Sequence, residues 1–181
     1  MPRRMLPSRP RASDVARRAL TTALAVASLA VAPSCGDDDP VSLPASGAPA
    51  AFEVSFAGYG YVSTSVTLDG EALVIVRALD ANPGERTTTI VTPTDADWAA
   101  FWTAARRVGL ARWPRSCVNT NVVDGSGLSV DITFDGGQIT RSAMNAYPRS
   151  DGACVRGGID PTDEYMAFFA AMGELIGRSF P

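Results

Sequence analysis

Along residues 52–181 the hydrophobic positions follow two distinct periods. From Phe52 to Ala57, apolar residues (Phe52, Val54, Phe56) alternate with Glu53 and Ser55. That period of two predicts a strand with one buried face. Residues 61–68 repeat the pattern with β-branched residues. Asp69-Gly70 follows, a pair suited to the positive φ of a tight hairpin turn. Residues 72–79 are almost continuously apolar, which predicts a central strand. Asn82-Pro83-Gly84 reads as a turn, and residues 86–92 read as another strand with threonines on one face. These segments together predict an antiparallel meander.

After Thr94 the period changes. Thr94 precedes Asp95 and Asp97, an N-cap with acidic groups in the first turn. Trp98, Phe101, Trp102, Ala105 and Val108 then form a helical stripe, ended by Arg106, Arg107 and Gly109. Residues 110–127 show no period and read as irregular. Leu128, Val130, Ile132 and Phe134 alternate with polar residues, Asp135-Gly136-Gly137 makes a turn, and residues 138–144 return as the partner strand. Residues 145–159 read as a loop. Asp160-Pro161 offers an N-cap and a first-turn proline to a last helix carrying Tyr165, Phe168, Phe169, Met172, Leu175 and Ile176 on one stripe. The expected fold class is α+β: an antiparallel sheet (meander plus hairpin) with two helices packed on one face. A single globular domain is expected over residues 52–181. About 130 residues is enough for one core burying roughly two thirds of the extended surface.

Charge divides the chain differently. Residues 1–34 hold six Arg against one Asp, a net of +5, while residues 35–181 hold ten Arg against eighteen acidic groups, a net of −8. A basic stretch ending at Arg17-Arg18, then an apolar run from Ala19 to Pro33, has the layout of a secretory signal peptide, expected over residues 1–34. The apolar run is about fifteen residues, short of the ~20 needed to span a bilayer. Residues 36–51 are rich in Pro, Ala, Gly, Ser and Asp without a period. They read as a disordered tether able to hold a domain off a membrane surface.

At Ala32-Pro33-Ser34-Cys35 the chain resembles the signals of bacterial lipoproteins, in which small residues precede a Cys. The resemblance implies cleavage before Cys35, lipidation of Cys35 and a mature protein anchored in the cell envelope. Gly36 after the Cys fits the outer membrane. An acyl anchor contributes ~0.8 kcal/mol per buried methylene. With Cys35 taken by lipid, Cys117 and Cys154 remain, and in an oxidising compartment two thiols in one small domain are expected to form a disulfide. The stretch from Trp98 to Asn145 and beyond also resembles small uncharacterised secreted bacterial domains. Such domains carry a Trp/Phe helix, a following Trp, an Asp-Gly before an alternating strand, and Asn-Ala-Tyr-Pro after the return strand. Here these are Trp98 and Phe101, Trp113, Asp124-Gly125, and Asn145-Ala146-Tyr147-Pro148. The resemblance implies a fold neighbourhood and no activity.

Composition removes several chemistries. There is no His, which excludes Ser-His-Asp and Cys-His nucleophiles and His-bearing zinc sites. There is no Lys, which excludes a P-loop and a Schiff base. The spacing of Asn119, Asn121 and Asp124 does not make an EF-hand loop. No catalytic residue, metal site or cofactor is expected. Nucleic acid is disfavoured by the net charge and by arginines scattered along the chain. Trp113, Asp124, Asn145 and Tyr147 are the expected binding surface. The leading expectation is a non-enzymatic, membrane-anchored envelope lipoprotein that binds an envelope partner or a small ligand. The alternatives are a hydrolase of cell-wall or extracellular polymer using carboxylates among Asp124, Asp131 and Asp135, and an inhibitor of a secreted enzyme presenting residues 145–159.

Overall fold

The computed structural model describes residues 41–58, 60, 62–79, 82–156 and 160–181. The expected leader, Cys35 and residues 36–40 lie outside the described residues. In chain order the elements are β1 (Ala51–Gly58), β2 (Val62–Asp69), β3 (Ala72–Leu79), β4 (Asn82–Val91), α1 (Asp95–Arg107), a 3₁₀ turn (Leu110–Arg112), β5 (Ser116–Val118), β6 (Ser126–Phe134), β7 (Gly137–Met144), β8 (Ala146–Pro148), β9 (Cys154–Arg156) and α2 (Asp163–Ile176). The fold is α+β, with a mostly antiparallel sheet and two helices.

Seven strands form one sheet in the order β4-β3-β2-β1-β6-β7-β5, and β8 pairs with β9 in a separate two-stranded ribbon. The meander and the later hairpin are therefore one sheet, joined where β1 lies antiparallel to β6. The register explains the join. Phe52 faces Ile132, Val54 faces Val130 and Phe56 faces Leu128, so two alternating apolar sets fall on the same side. All six side chains are buried. Phe52 meets Trp98 and Phe101 edge-on with centroids 5.5 Å apart, Phe56 meets Phe169 at 5.3 Å, and Phe134 meets Trp102 at 5.6 Å. Edge-to-face contacts of this kind add to the hydrophobic gain of burying the rings.

Several sequence expectations are corrected. The central strand is β1, not the apolar β3, which lies next to the edge strand β4. Leu73 and Ile75 are buried while Val74 and Val76 on the other face are only half-buried, so β3 is apolar on both faces but deeply covered on one. Asn82-Pro83-Gly84 begins β4 rather than forming a turn. The irregular stretch 110–127 contains the 3₁₀ turn and β5, which pairs parallel to β7. The loop 145–159 contains the β8–β9 ribbon. At α1 the Thr94 cap is present as a reciprocal capping box with Asp97. At α2 the cap is Thr162, whose hydroxyl accepts from the Tyr165 N–H at 3.3 Å, rather than Asp160.

Residues 41–50, read from composition as part of the tether, pack against the domain. Val41 and Leu43 pack against the core, and Pro49 is buried. The indole N–H of Trp102 donates to the Gly47 carbonyl at 2.8 Å, and the Arg106 guanidinium donates to the Pro44 carbonyl. A buried indole N–H needs an acceptor, and this strap provides one. The three apolar residues that hold it follow no period, so nothing in the local pattern marks the segment as packed.

Candidate functional site

The expected site residues lie around one end of the sheet, where β7 runs into β8. Asn145 stands at that junction with φ +54°, the left-handed region that Asn tolerates better than most residues. Its N–H donates to the Ser126 carbonyl at 3.0 Å, and its side-chain amide donates to the Val122 carbonyl at 3.1 Å. Gly125 lies so close that a Cβ there would collide with the Asn145 amide. Asn119, buried, accepts from the Asn121 N–H at 3.1 Å and donates its own N–H to the Met144 carbonyl at 2.9 Å. Two asparagines thus hold loop 119–125 against the sheet end. Asn145 works here as a strut.

Asp124 is exposed in that loop. Trp113 is core: it is 3% exposed, its indole N–H donates to the Val108 carbonyl at 3.0 Å, and it stacks on Tyr165 with centroids 6.3 Å apart. The ring that follows a helix and a 3₁₀ turn is drawn inward to close the gap beside α2. Cys117 and Cys154 are paired at disulfide distance, with Cα atoms 5.6 Å apart. Their bridge ties β5 to β9.

Tyr147 opens onto a cavity beside α2. It is half-buried, and its ring meets Tyr165 at 5.2 Å. Tyr147, Tyr165, Phe56, Phe169 and Met166 line a half-open pocket of about 220 Å³, closed at its rim by Ser126, Pro161 and Pro181. Burial, and secondarily the nearby Tyr147, pushes the Tyr165 phenol well above the ordinary tyrosine range. It stays protonated at any physiological pH. The lining side chains are therefore apolar, aromatic and uncharged, with hydroxyls as their polar groups.

Asp124, Asp131 and Asp135 do not gather. Asp124 precedes β6 and Asp135 follows it, and nine strand residues span about 30 Å. Asp131 sits four residues from Asp135, about 13 Å along the strand. It accepts from the Thr140 hydroxyl at 2.7 Å and stands opposite Glu53 in register. That face carries no ring of the aromatic core, since Phe52, Phe56 and Phe134 point the other way. Among the described residues no group of three or more Cys, Asp and Glu is arranged to hold a metal ion. Sequence reasoning missed Met166 and Phe169 as pocket residues. Phe169 was read as core, and the helical stripe did carry a signal for it.

Compared with known proteins, the chain matches no family model, no curated protein and no solved structure.

Proposed function

We propose that this protein is an exported, lipid-anchored envelope protein whose domain binds rather than catalyses. It takes a small neutral apolar or aromatic group into the pocket between Tyr147 and Met166. The observation that carries this reading is the pocket itself, an opening in the aromatic core at the rim of the sheet. Five apolar or aromatic side chains meet there, and no lining residue has a charged side chain. At about 220 Å³ it fits one ring or a short branched chain, less than a whole drug-sized ligand. The anchor half of the reading rests on the basic leader, the apolar run and the Ser34-Cys35 junction. It also takes both helices as covering one face of the sheet, with Phe52 touching α1 and Phe56 touching α2 in support. The opposite face is left to solvent or to a partner in the envelope.

Two experiments test it. Intact-mass measurement of the membrane fraction is expected to give a diacyl or triacyl species beginning at Cys35. An unacylated chain that keeps the leader removes the anchor. Saturation-transfer NMR with indole, a neutral ring of suitable size, is expected to give a signal with the full chain. Met166→Glu, at a half-exposed lining position, is expected to abolish it. A signal indifferent to that charge places indole elsewhere and ends the pocket reading.

A second reading, inhibition of a secreted enzyme, has support at loop 119–125 rather than at 145–159. Val123 at its tip is 95% exposed, while Asn119 and Asn145 hold the loop from beneath. Slow cleavage or inhibition of a proteinase that accepts small aliphatic residues, lost in Val123→Asp, is the outcome it requires.

A further inference from the structure

Arginines that are scattered in sequence converge in space. Arg112 comes from the 3₁₀ turn, Arg115 from the segment leading into β5, and Arg141 from β7, and all three line one groove of about 510 Å³. The groove's remaining polar wall is Ser150 and Asp151, from the turn between β8 and β9, and Trp113 and Pro114 form its apolar side. Three guanidinium groups against one carboxylate make the lining net +2. It sits in a stretch, residues 35–181, whose net charge is −8. Arg149, just outside, pairs with Asp151 at 3.4 Å.

Arg141 is held by backbone contacts, so its charge is placed rather than loosely displayed. Arg141 donates to the carbonyls of Leu110 at 3.3 Å, Ala111 at 2.6 Å and Thr140 at 2.8 Å, which clamps the 3₁₀ turn to the sheet. On the far wall, Gly109 at φ +69° comes so close to Ser150 that a Cβ would stand 2.8 Å from the serine Cβ. The Ser150 hydroxyl donates to Glu164 at 3.1 Å, which fixes the turn to the start of α2.

The geometry points to a binding site for a phosphate group carried on a small polar molecule or headgroup. Guanidinium forks recognise oxyanions in bidentate fashion. A phosphate offers more acceptor oxygens to several forks at once than a carboxylate does. The groove is much larger than one phosphate, and the apolar wall at Trp113 and Pro114 suits the carbon skeleton of the carrier. This site is separate from the Tyr147 pocket and depends on neither that reading nor the anchor.

The test is calorimetric titration of the full chain in neutral detergent with glycerol 1-phosphate, with glycerol as the uncharged control. Micelles doped with phosphatidylglycerol present a phosphate from a lipid, as a singly charged diester. Saturable binding of glycerol 1-phosphate, absent with glycerol, is expected and identifies a soluble source. Binding seen only with the doped micelles identifies a headgroup source. Arg112→Gln and Arg115→Gln, both at exposed positions, are each expected to weaken binding about tenfold or more, the scale of one charge-assisted hydrogen bond. Arg107→Gln, on the exposed side of α1, is expected to leave it unchanged. The proposal is overturned if neither phosphate source binds. It is equally overturned if Arg107→Gln weakens binding as much as the groove variants do, which means diffuse attraction. Matching circular dichroism spectra and melting curves across the three variants separate a lost site from a lost fold.

Discussion

Two concavities back onto the same pair of stacked rings. On one side Tyr165 lines an apolar pocket, and on the other Trp113 lines a groove with three arginines. The pocket is a gap left in a hydrophobic core, and its residues are the ones a hydrophobic pattern selects. The groove is a meeting of turns, and its residues have no pattern in common. The contrast teaches that a core can be anticipated from periodicity, while a polar site assembled from chain reversals depends on topology.

The comparison can be broken at its shared wall. Trp113→Ala is expected to cost about 3–5 kcal/mol, as for a large ring removed from a core. Both the indole signal and the phosphate heat should be lost together, with stability followed by denaturant unfolding. Replacing Cys117 and Cys154 by Ser comes next, at about 3–4 kcal/mol in the chain-entropy account for residues 37 apart. The ribbon they tether supplies Tyr147 to the pocket and Ser150 to the groove, so both affinities should fall, less completely than with Trp113. Asn145→Ala sharpens the contrast. It removes the bond to Val122 and places Ala, which tolerates the left-handed region less well than Asn, at that φ, for about 1–2 kcal/mol. Ser126 on the pocket rim should shift while the groove holds, a difference visible in amide chemical shifts.

The smallest effect is a pH effect confined to the groove. Hydrogen bonding from its own backbone N–H holds the Glu164 carboxyl below the ordinary glutamate range; burial opposes it, and smaller lowering effects come from Ser150 and Arg149. A carboxyl with a lowered folded-state value stabilises above its unfolded value. That contribution is lost as pH falls through the folded value. Acidification through that window is expected to loosen Ser150 and weaken phosphate binding, with indole binding unaltered. Glu164→Gln should flatten the effect.

What was legible follows the same division. The alternation at Phe52–Phe56 and at Leu128–Phe134, the cap at Thr94 and the stripes of α1 and α2 all appear where the pattern put them. Local periodicity and capping chemistry decide these features within a few residues. Three features were not legible. The β1–β6 pairing joins segments that carry no information about each other except a shared period. The three-residue strand β5 is too short to show any period, and only its place beside β7 makes it a strand. The strap at residues 41–50 is held by carbonyls accepting from Trp102 and Arg106, and every residue has a carbonyl. Of the expected binding surface, Tyr147 lines the pocket, Trp113 is drawn into the core, and Asn145 braces a loop.

The pairing of β1 with β6 also sets the order in which this molecule can be finished. Phe52 and Ile132 are neighbours in the sheet but stand 80 positions apart in the chain. Hairpins β1–β2 and β2–β3 close over short loops, while the central ladder must first meet the entropy of closing a long one. A chain leaving a ribosome or a translocation channel from its N-terminus makes the meander long before residues 126–134 emerge. During that interval β1 is an edge, with Phe52, Val54 and Phe56 uncovered along it, open to pairing with another copy. The innermost strand of the finished sheet is thus the most vulnerable strand of the nascent one. The rate at which β6 arrives sets the competition between folding and aggregation.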